Sequence, residues 1–281
     1  PFHRQPKFPI FRGLFHAHYP LYFDGSLVQG GSEVGLRQKI FMVVSTMKEI
    51  FVSIFGKPFG IVLLQLLEAT QFTIYLSLFA FFGGGFIGMI VALLRIYPSQ
   101  RSKTGAVAYI WLFQSVPLLM LLFLFGLGIP RLFGQNVDPW IAAIGALTLY
   151  TSAYLADVWR GSIEAVPKGQ WEGARSLGFG FFKTLRLVIA PQAIRNALAP
   201  TVGFMVQIIK GTSLAFIIGF HDLMNVGKRW ANAPVNGTEP FVVFPLMALI
   251  YFCLCFPLSA FSKKLERKFG SVSKQDLPTA V

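Results

Sequence analysis

The stretch TQFTIYLSLFAFFGGGFIGMIVALL, residues 70–94, decides the class of fold because it contains no charged side chain. A helix needs about 20 apolar residues to cross the hydrocarbon core of a bilayer, and this stretch is long enough. Gly84 and Gly88 lie four positions apart within it, a spacing that lets a second helix approach closely. The stretch therefore predicts a membrane-spanning helix with a glycine face for packing.

The whole chain has the same character. Hydrophobic residues make up 54% of its 281 residues and charged residues only 13%, whereas a soluble domain carries about 25% charged residues. The mean hydropathy is +0.59. This composition excludes an ordinary soluble enzyme, a coiled coil and a disordered chain, and it predicts an all-α integral membrane protein.

Five stretches are long and apolar enough to be spans. They are residues 70–94, 105–129, 140–159, 198–220 and 241–261. Pro117 should kink the second span because it removes a backbone hydrogen bond and crowds the preceding turn.

The basic residues are distributed unevenly between the two sides of these spans. One side collects 14 Lys and Arg residues, in the loops after the first and third spans and in the C-terminal tail, and the other side collects three. The positive-inside rule places the richer side in the cytoplasm, with the C-terminus. Bases dispersed along one membrane face also exclude a nucleic-acid-binding protein.

The first 60 residues fit this scheme less simply. Five spans place them outside the cytoplasm, but they carry seven bases. The apolar run 40–55 is interrupted by Lys48 and Glu49. It is either an amphipathic helix lying on the membrane or a sixth span extending toward Leu67. The fold is thus about five transmembrane helices, or six, and residues 1–60 form an N-terminal extension.

No metal site is expected from the cysteines and histidines. Cys253 and Cys255 lie two positions apart in an apolar run, so they point to different sides of a helix. His221 and Asp222 have no further ligand at metal-binding spacing.

The loop at about 161–195 is long, charged and rich in glycine, and long structured loops are usually functional. Residues 169–177 are predicted to form a short helix that Gly178 and Gly180 end. A second short helix is predicted over 181–189, ending before Pro191.

The sequence of this loop resembles the EAA loop of ABC importer permeases. The matching segments are GQWEGARSLG, residues 169–178, and VIAPQA, residues 188–193, in which Pro191 follows Glu172 by the family's nineteen positions. Three further segments resemble the polar amino acid branch, which serves His, Glu, Gln, Arg and opines. They are FQSVPLL at 113–119, SAYLADVWRG at 152–161 and KGTSL at 210–214.

The resemblance implies a MetI-like transmembrane domain over residues 61–268, followed by a cytoplasmic tail at 269–281. It implies a multi-pass protein of the bacterial inner membrane that carries amino acids through the lipid bilayer, paired with an identical or homologous second permease. It also implies two ATPase subunits and a periplasmic solute-binding protein as partners. The sequence has no GxxxxGK[ST] motif, so no cofactor is expected on this chain, and ATP and magnesium are expected on the ATPase.

Residue roles follow from the same resemblance. The ATPase-coupling residues are Gly169, Glu172, Gly173, Ala174, Gly178 and Pro191. The substrate pathway is expected to include Tyr154, Asp157, Lys210, Thr212 and Ser213. Gly173, Gln114, Asp157 and Gly211 depart from the family's Ala, Arg, Glu and Asp, and the loss of the last acid weakens the case for a cationic substrate.

Alternatives remain for two of these residues. An intramembrane charge such as Lys210 is a functional hypothesis by default, but it could instead pair with Asp157. Asp157 and Arg160 lie three apart on one helix face, so they form either an ion pair or a gate.

Two other classes of membrane protein compete with the importer subunit. A self-sufficient secondary transporter would usually show inverted repeats and more spans. A membrane-embedded enzyme would need a catalytic constellation. Neither signature is visible in the sequence.

Overall fold

The computed structural model describes residues 59–134, 136–233, 235 and 238–269, together with Thr46, Glu49, Ser53 and Gly56. These residues form helices and turns and include no strand, as the composition predicts. The chain divides into two compact units, Pro1–Ile61 and Val62–Val281. Most of the first unit, and with it the alternatives for residues 40–55, lies outside the described residues.

Four helices are long and apolar enough to cross a membrane, and a bent helix pair supplies a fifth crossing if it counts as one span. The four are α1 (Phe59–Ile96), α5 (Pro139–Glu164), the continuous helix Phe181–Ile218 and α10 (Pro240–Phe269). With 38 residues, α1 would be roughly 57 Å long. Residues 59–67 belong to α1. A sixth span that starts near residue 40 therefore cannot extend to Leu67 as a separate helix.

The second predicted span is broken at Pro117. Helix α2 (Gln100–Ser115) ends where Val116 and Pro117 adopt extended ψ angles of 125° and 137°, because a proline disfavours helical geometry in the residue before it. The chain continues through α3 (Leu118–Phe123), a π-helical turn and α4 (Ile129–Leu132). The two parts meet at 95°, so the predicted kink is a complete break.

The prediction that a short helix ends before Pro191 is wrong. Helix α7 (Phe181–Thr184), a π-helical turn Leu185–Ile189, α8 (Ala190–Thr212) and a 3₁₀ turn Ser213–Ile218 follow one another without interruption. The amide of Ala190 donates to the carbonyl of Leu185, five residues back. This wider turn makes room for the proline ring, so the helix continues.

The largest apolar core lies among α1, α3, α5 and α8, with Leu76, Leu122, Leu147 and Ile208 almost completely buried. The predicted glycine face of α1 packs directly on α5. A Cβ atom added to Gly88 would lie 2.8 Å from the carbonyl oxygen of Ser152. Glycine is therefore required here because the two backbones approach so closely.

Two short helices complete the fold. Helix α6 (Lys168–Ser176) lies in the loop that follows α5, and α9 (Leu223–Ala231) lies between the 3₁₀ turn and α10. Helix α6 carries most of the predicted coupling residues, and α5 and α8 carry most of the residues predicted for the substrate pathway.

Candidate functional site

Helix α6 confirms the predicted helix at 169–177 to within one residue at each end. The predicted coupling residues Gly169, Glu172 and Gly173 are exposed, while Ala174 is buried. Trp171, one turn before Ala174, packs on the apolar cluster that contains Ile163 and Val166. One face of α6 is thus held against the spanning helices, and the opposite face is free to contact another protein.

Gly178 ends this helix in the predicted way. Its φ angle is +76°, a left-handed conformation that glycine adopts without steric cost. The amide of Gly178 donates to the carbonyl of Arg175, and the amide of Phe179 donates to the carbonyl of Ala174. These two bonds form a Schellman motif. Gly180, by contrast, is extended and precedes α7, so only Gly178 acts as the stop.

A groove of about 400 Å³ lies beside α6 and adds an apolar feature to this face. It is lined by Pro98, Trp171, Arg175, Phe179, Phe181 and Thr184. The rings of Trp171 and Phe181 stack with their centroids 6.1 Å apart, and Leu177 nearby is 75% exposed. An exposed apolar surface with a basic rim is typical of a protein-binding site.

Pro191, the last predicted coupling residue, lies at the start of α8 and is exposed. Gln192 beside it donates to the side-chain oxygen of Gln170 on α6, at 3.3 Å. This bond joins the short helix to the beginning of α8. The loop therefore connects directly to a spanning helix.

The second group of predicted residues lies between α5 and α8. The ring of Tyr154 stacks on Phe204, with centroids 5.2 Å apart, and also contacts Tyr150 at 4.6 Å. The sequence motifs singled out Tyr154 but not Tyr150 or Phe204. Tyr150 could have been found from its spacing, because it lies one helical turn before Tyr154 and therefore on the same helix face.

Asp157 forms an ion pair with Arg160, whose guanidinium nitrogen lies 2.8 Å from the carboxylate. Arg160 also pairs with Glu164. Of the two readings of Asp157 and Arg160, the ion pair is the one present in this conformation. Asp157 is therefore not the partner of Lys210 here.

Lys210 is exposed on α8, and none of the ion pairs among the described residues includes it. Ser213, half-buried, donates to the carbonyl of Lys210 at 2.6 Å. Thr212 is completely buried, and its hydroxyl donates to the carbonyl of Ile209 at 2.7 Å. Lys210 and Ser213 thus face one side of the helix end and Thr212 faces the interior.

The departures from the family pattern have structural counterparts. Gln114 donates to the carbonyl of Ala153 at 3.4 Å and so joins α2 to α5. A Cβ atom at Gly211 would lie 2.9 Å from a methyl carbon of Leu118. The aspartate that the family carries at this position would therefore require Leu118 to move. Glycine allows Leu118 to pack against the backbone of α8.

Comparison with known proteins assigns this architecture to a family. The family model described as "binding-protein-dependent transport system inner membrane component" matches residues 84–271. The "probable amino-acid ABC transporter permease protein YckA" of Bacillus subtilis is 32% identical over 207 residues, which cover 73% of this chain and 88% of that protein. The "inner membrane amino-acid ABC transporter permease protein YhdY" of Escherichia coli is 35% identical over 189 residues, which cover 66% of this chain and 51% of that longer protein.

A solved structure has the same fold. The crystal structure of an amino acid ABC transporter with histidines superposes with a TM-score of 0.67 at 30% identity. The match covers 73% of this chain and 94% of the solved one. The similarity therefore extends over most of this chain.

Proposed function

The chain belongs to the family of binding-protein-dependent transport system inner membrane components, and we propose that it moves polar amino acids as the permease subunit of an ATP-driven importer. It is a multi-pass protein of the inner membrane and not itself an enzyme. The observation that carries the mechanism is the two-sided helix α6, which packs on the spanning helices through Trp171 and presents Glu172 outward.

In the proposed mechanism α6 is the coupling helix. Partner ATPase subunits, two per complex, hold ATP and magnesium and bind the exposed face of α6 that includes Gly169, Glu172 and Gly173. Movement of the ATPases then displaces α6. Because α6 contacts α8 through Gln170 and Gln192, the displacement passes to the spanning helices and changes the side to which the pathway is open.

The other partners follow from the same assignment. A second permease, identical or homologous, completes the pathway, and a periplasmic solute-binding protein delivers the amino acid. The distribution of basic residues supports an orientation with α6 and the C-terminus in the cytoplasm. The loop before α5 and helix α9 then lie on the periplasmic side.

The proposed pathway runs along α5 and α8. Lys210 provides a cation for the substrate carboxylate, Ser213 provides a hydroxyl beside it, and Tyr154 provides an aromatic wall. Asp157 acts as a gate when its pair with Arg160 opens. Thr212, buried in this conformation, supports the helix end and reaches substrate only if the helix rotates.

The proposal is tested by purifying the complex from its native membrane in mild detergent and identifying the copurifying chains. An ATPase with a Walker motif is expected, and Glu172→Lys should remove it from the complex while the permease still inserts. Glu266→Lys is the matched control, since it makes the same charge change at an exposed position near the end of α10. Uptake by the reconstituted single chain without any ATPase would overturn the proposal in favour of a secondary transporter.

A further inference from the structure

The start of α9 contains a carboxylic acid that the transport mechanism does not use. Asp222 is completely buried. One carboxylate oxygen accepts a hydrogen bond from the amide of Asn225 at 2.9 Å and so caps α9. The other oxygen is buried and has no hydrogen-bond partner among the described residues.

The groups around Asp222 come from three spanning helices. The amide of Leu223, the next residue, donates to the hydroxyl of Thr73 on α1 at 3.2 Å. Tyr251 on α10 interacts electrostatically with Asp222, and its own hydroxyl is buried. The side chains of Thr73 and of Thr212 on α8 lie beside that hydroxyl. The start of α9 is thus enclosed in a buried polar cluster.

None of the ion pairs among the described residues includes Asp222. Lys210 on α8 acts electrostatically on Cys255, which in turn acts on Tyr251. The Lys228 ammonium lies over the ring of Phe216, 4.4 Å from its centroid. Arg229 contacts His221. Burial, followed by the charge of Arg229, lowers the pKa of His221, so this imidazole is uncharged at neutral pH. An ionised carboxylate with an unsatisfied oxygen in such a site is costly.

A proton on Asp222 removes that cost. Burial is the dominant effect and raises the pKa of Asp222 to about 7, although the backbone amides of Asn225 and Met224 act in the opposite direction. A carboxyl group in water has a pKa of about 3.9. Below about pH 7 the acid should therefore hold a proton while it is enclosed, and it should lose that proton when it becomes hydrated.

We propose that Asp222 is a proton-binding site, and that its proton holds α9 closed against α1 and α10. Opening of α9 exposes the carboxyl group, which releases its proton to the water on that side of the membrane. This proposal rests on the proposed function in one respect, namely the membrane orientation that places α9 on the periplasmic side.

The direction of the pH dependence follows from the two states. Because the closed state binds the proton more tightly, it is favoured as the pH falls. Between about pH 4 and about pH 7, each unit of increasing pH shifts the equilibrium toward the open state by up to about tenfold. Below and above this range the equilibrium should be independent of this group.

The first test is infrared spectroscopy of the full complex in lipid nanodiscs. A protonated-carboxyl band that titrates near pH 7 is expected in the wild type and should be missing in Asp222→Asn. Asparagine is isosteric with the neutral acid and is an equally good helix cap, so α9 should stay folded. Asp138→Asn is the matched control, since Asp138 caps α5 from an exposed position by accepting a bond from the Trp140 amide.

The second test measures hydrogen exchange of amides 223–231 at pH 5 and pH 7, corrected for the intrinsic effect of pH. Opening should increase by about fiftyfold in the wild type and in Asp138→Asn, and it should not change in Asp222→Asn. A carboxyl band that titrates below about pH 5, or a pH response that persists in Asp222→Asn, would overturn the proposal. Neither measurement needs transport, so a failure of the importer assignment would be seen separately.

Discussion

At the scale of single residues, the backbones of α1 and α5 approach each other closely at Gly88. Gly88→Ala is expected to destabilise the protein by about 1–2 kcal/mol, because overpacking against the Ser152 carbonyl outweighs the better helix propensity of alanine. Thermal unfolding in detergent measures the effect. Gly105→Ala is the control, because a Cβ atom there meets nothing within 4 Å, and its stability should stay equal or rise. Equal stability of both variants would contradict the importance of this contact.

Lys210 belongs to none of the ion pairs among the described residues, so its ammonium group is available to a substrate carboxylate. Lys210→Ala is expected to lower uptake about tenfold or more, since a charge-assisted hydrogen bond to a carboxylate is worth about 1.5–3 kcal/mol. The amount of assembled complex should not change. Uptake of labelled amino acid into proteoliposomes measures the loss, with Lys263→Ala at the exposed end of α10 as the control. Unchanged affinity and rate would give Lys210 a structural role.

At the scale of the element, the proposed coupling helix α6 depends on how it ends. Gly178→Ala would place a side chain in the left-handed region, which costs about 1–2 kcal/mol, and would weaken the Schellman motif that separates α6 from α7. We expect substrate-stimulated ATP hydrolysis by the complex to fall, and Gly178→Asn to retain more of it because asparagine tolerates this conformation.

The neighbouring Gly173 is the matched control for this experiment. It lies inside α6, and a Cβ atom there meets nothing within 4 Å. Gly173→Ala should therefore stabilise the helix by up to about 1 kcal/mol and leave coupling intact or improved. If both alanine variants lost coupling equally, the exposed surface of α6, rather than its C-terminal turn, would be the sensitive feature.

At the scale of the whole molecule, the basic residues predict the orientation in the membrane. In a background without Cys253 and Cys255, Lys264→Cys should be protected from a membrane-impermeant maleimide in intact spheroplasts and react after lysis. Asn136→Cys, in the exposed turn before α5, should react before lysis. The opposite pattern would invert the proposed topology and move Asp222 to the cytoplasmic side.

Much of this architecture could be predicted because local patterns dominate it. The spans follow from apolar length, and α6 follows from its polar composition and Gly178. The close packing of another helix on α1 follows from the spacing of Gly84 and Gly88, but the identity of that helix does not. The helix end predicted at Pro191 is wrong because a proline lowers the probability of a helix without forbidding it. A π-helical turn at Leu185–Ile189 accommodates its ring, and this turn has no sequence signature.

By itself, the sequence determined that the chain is an α-helical membrane protein and approximately where its spans lie, and it singled out the loop that we propose carries the coupling helix. Each of these depends on residues close together in the chain. Only the tertiary structure decided that Leu118 packs against Gly211 and that Asp222 is enclosed with Tyr251. Burial and charge pairing depend on which helices meet, and residues as far apart as α1 and α10 meet only after the bundle has packed.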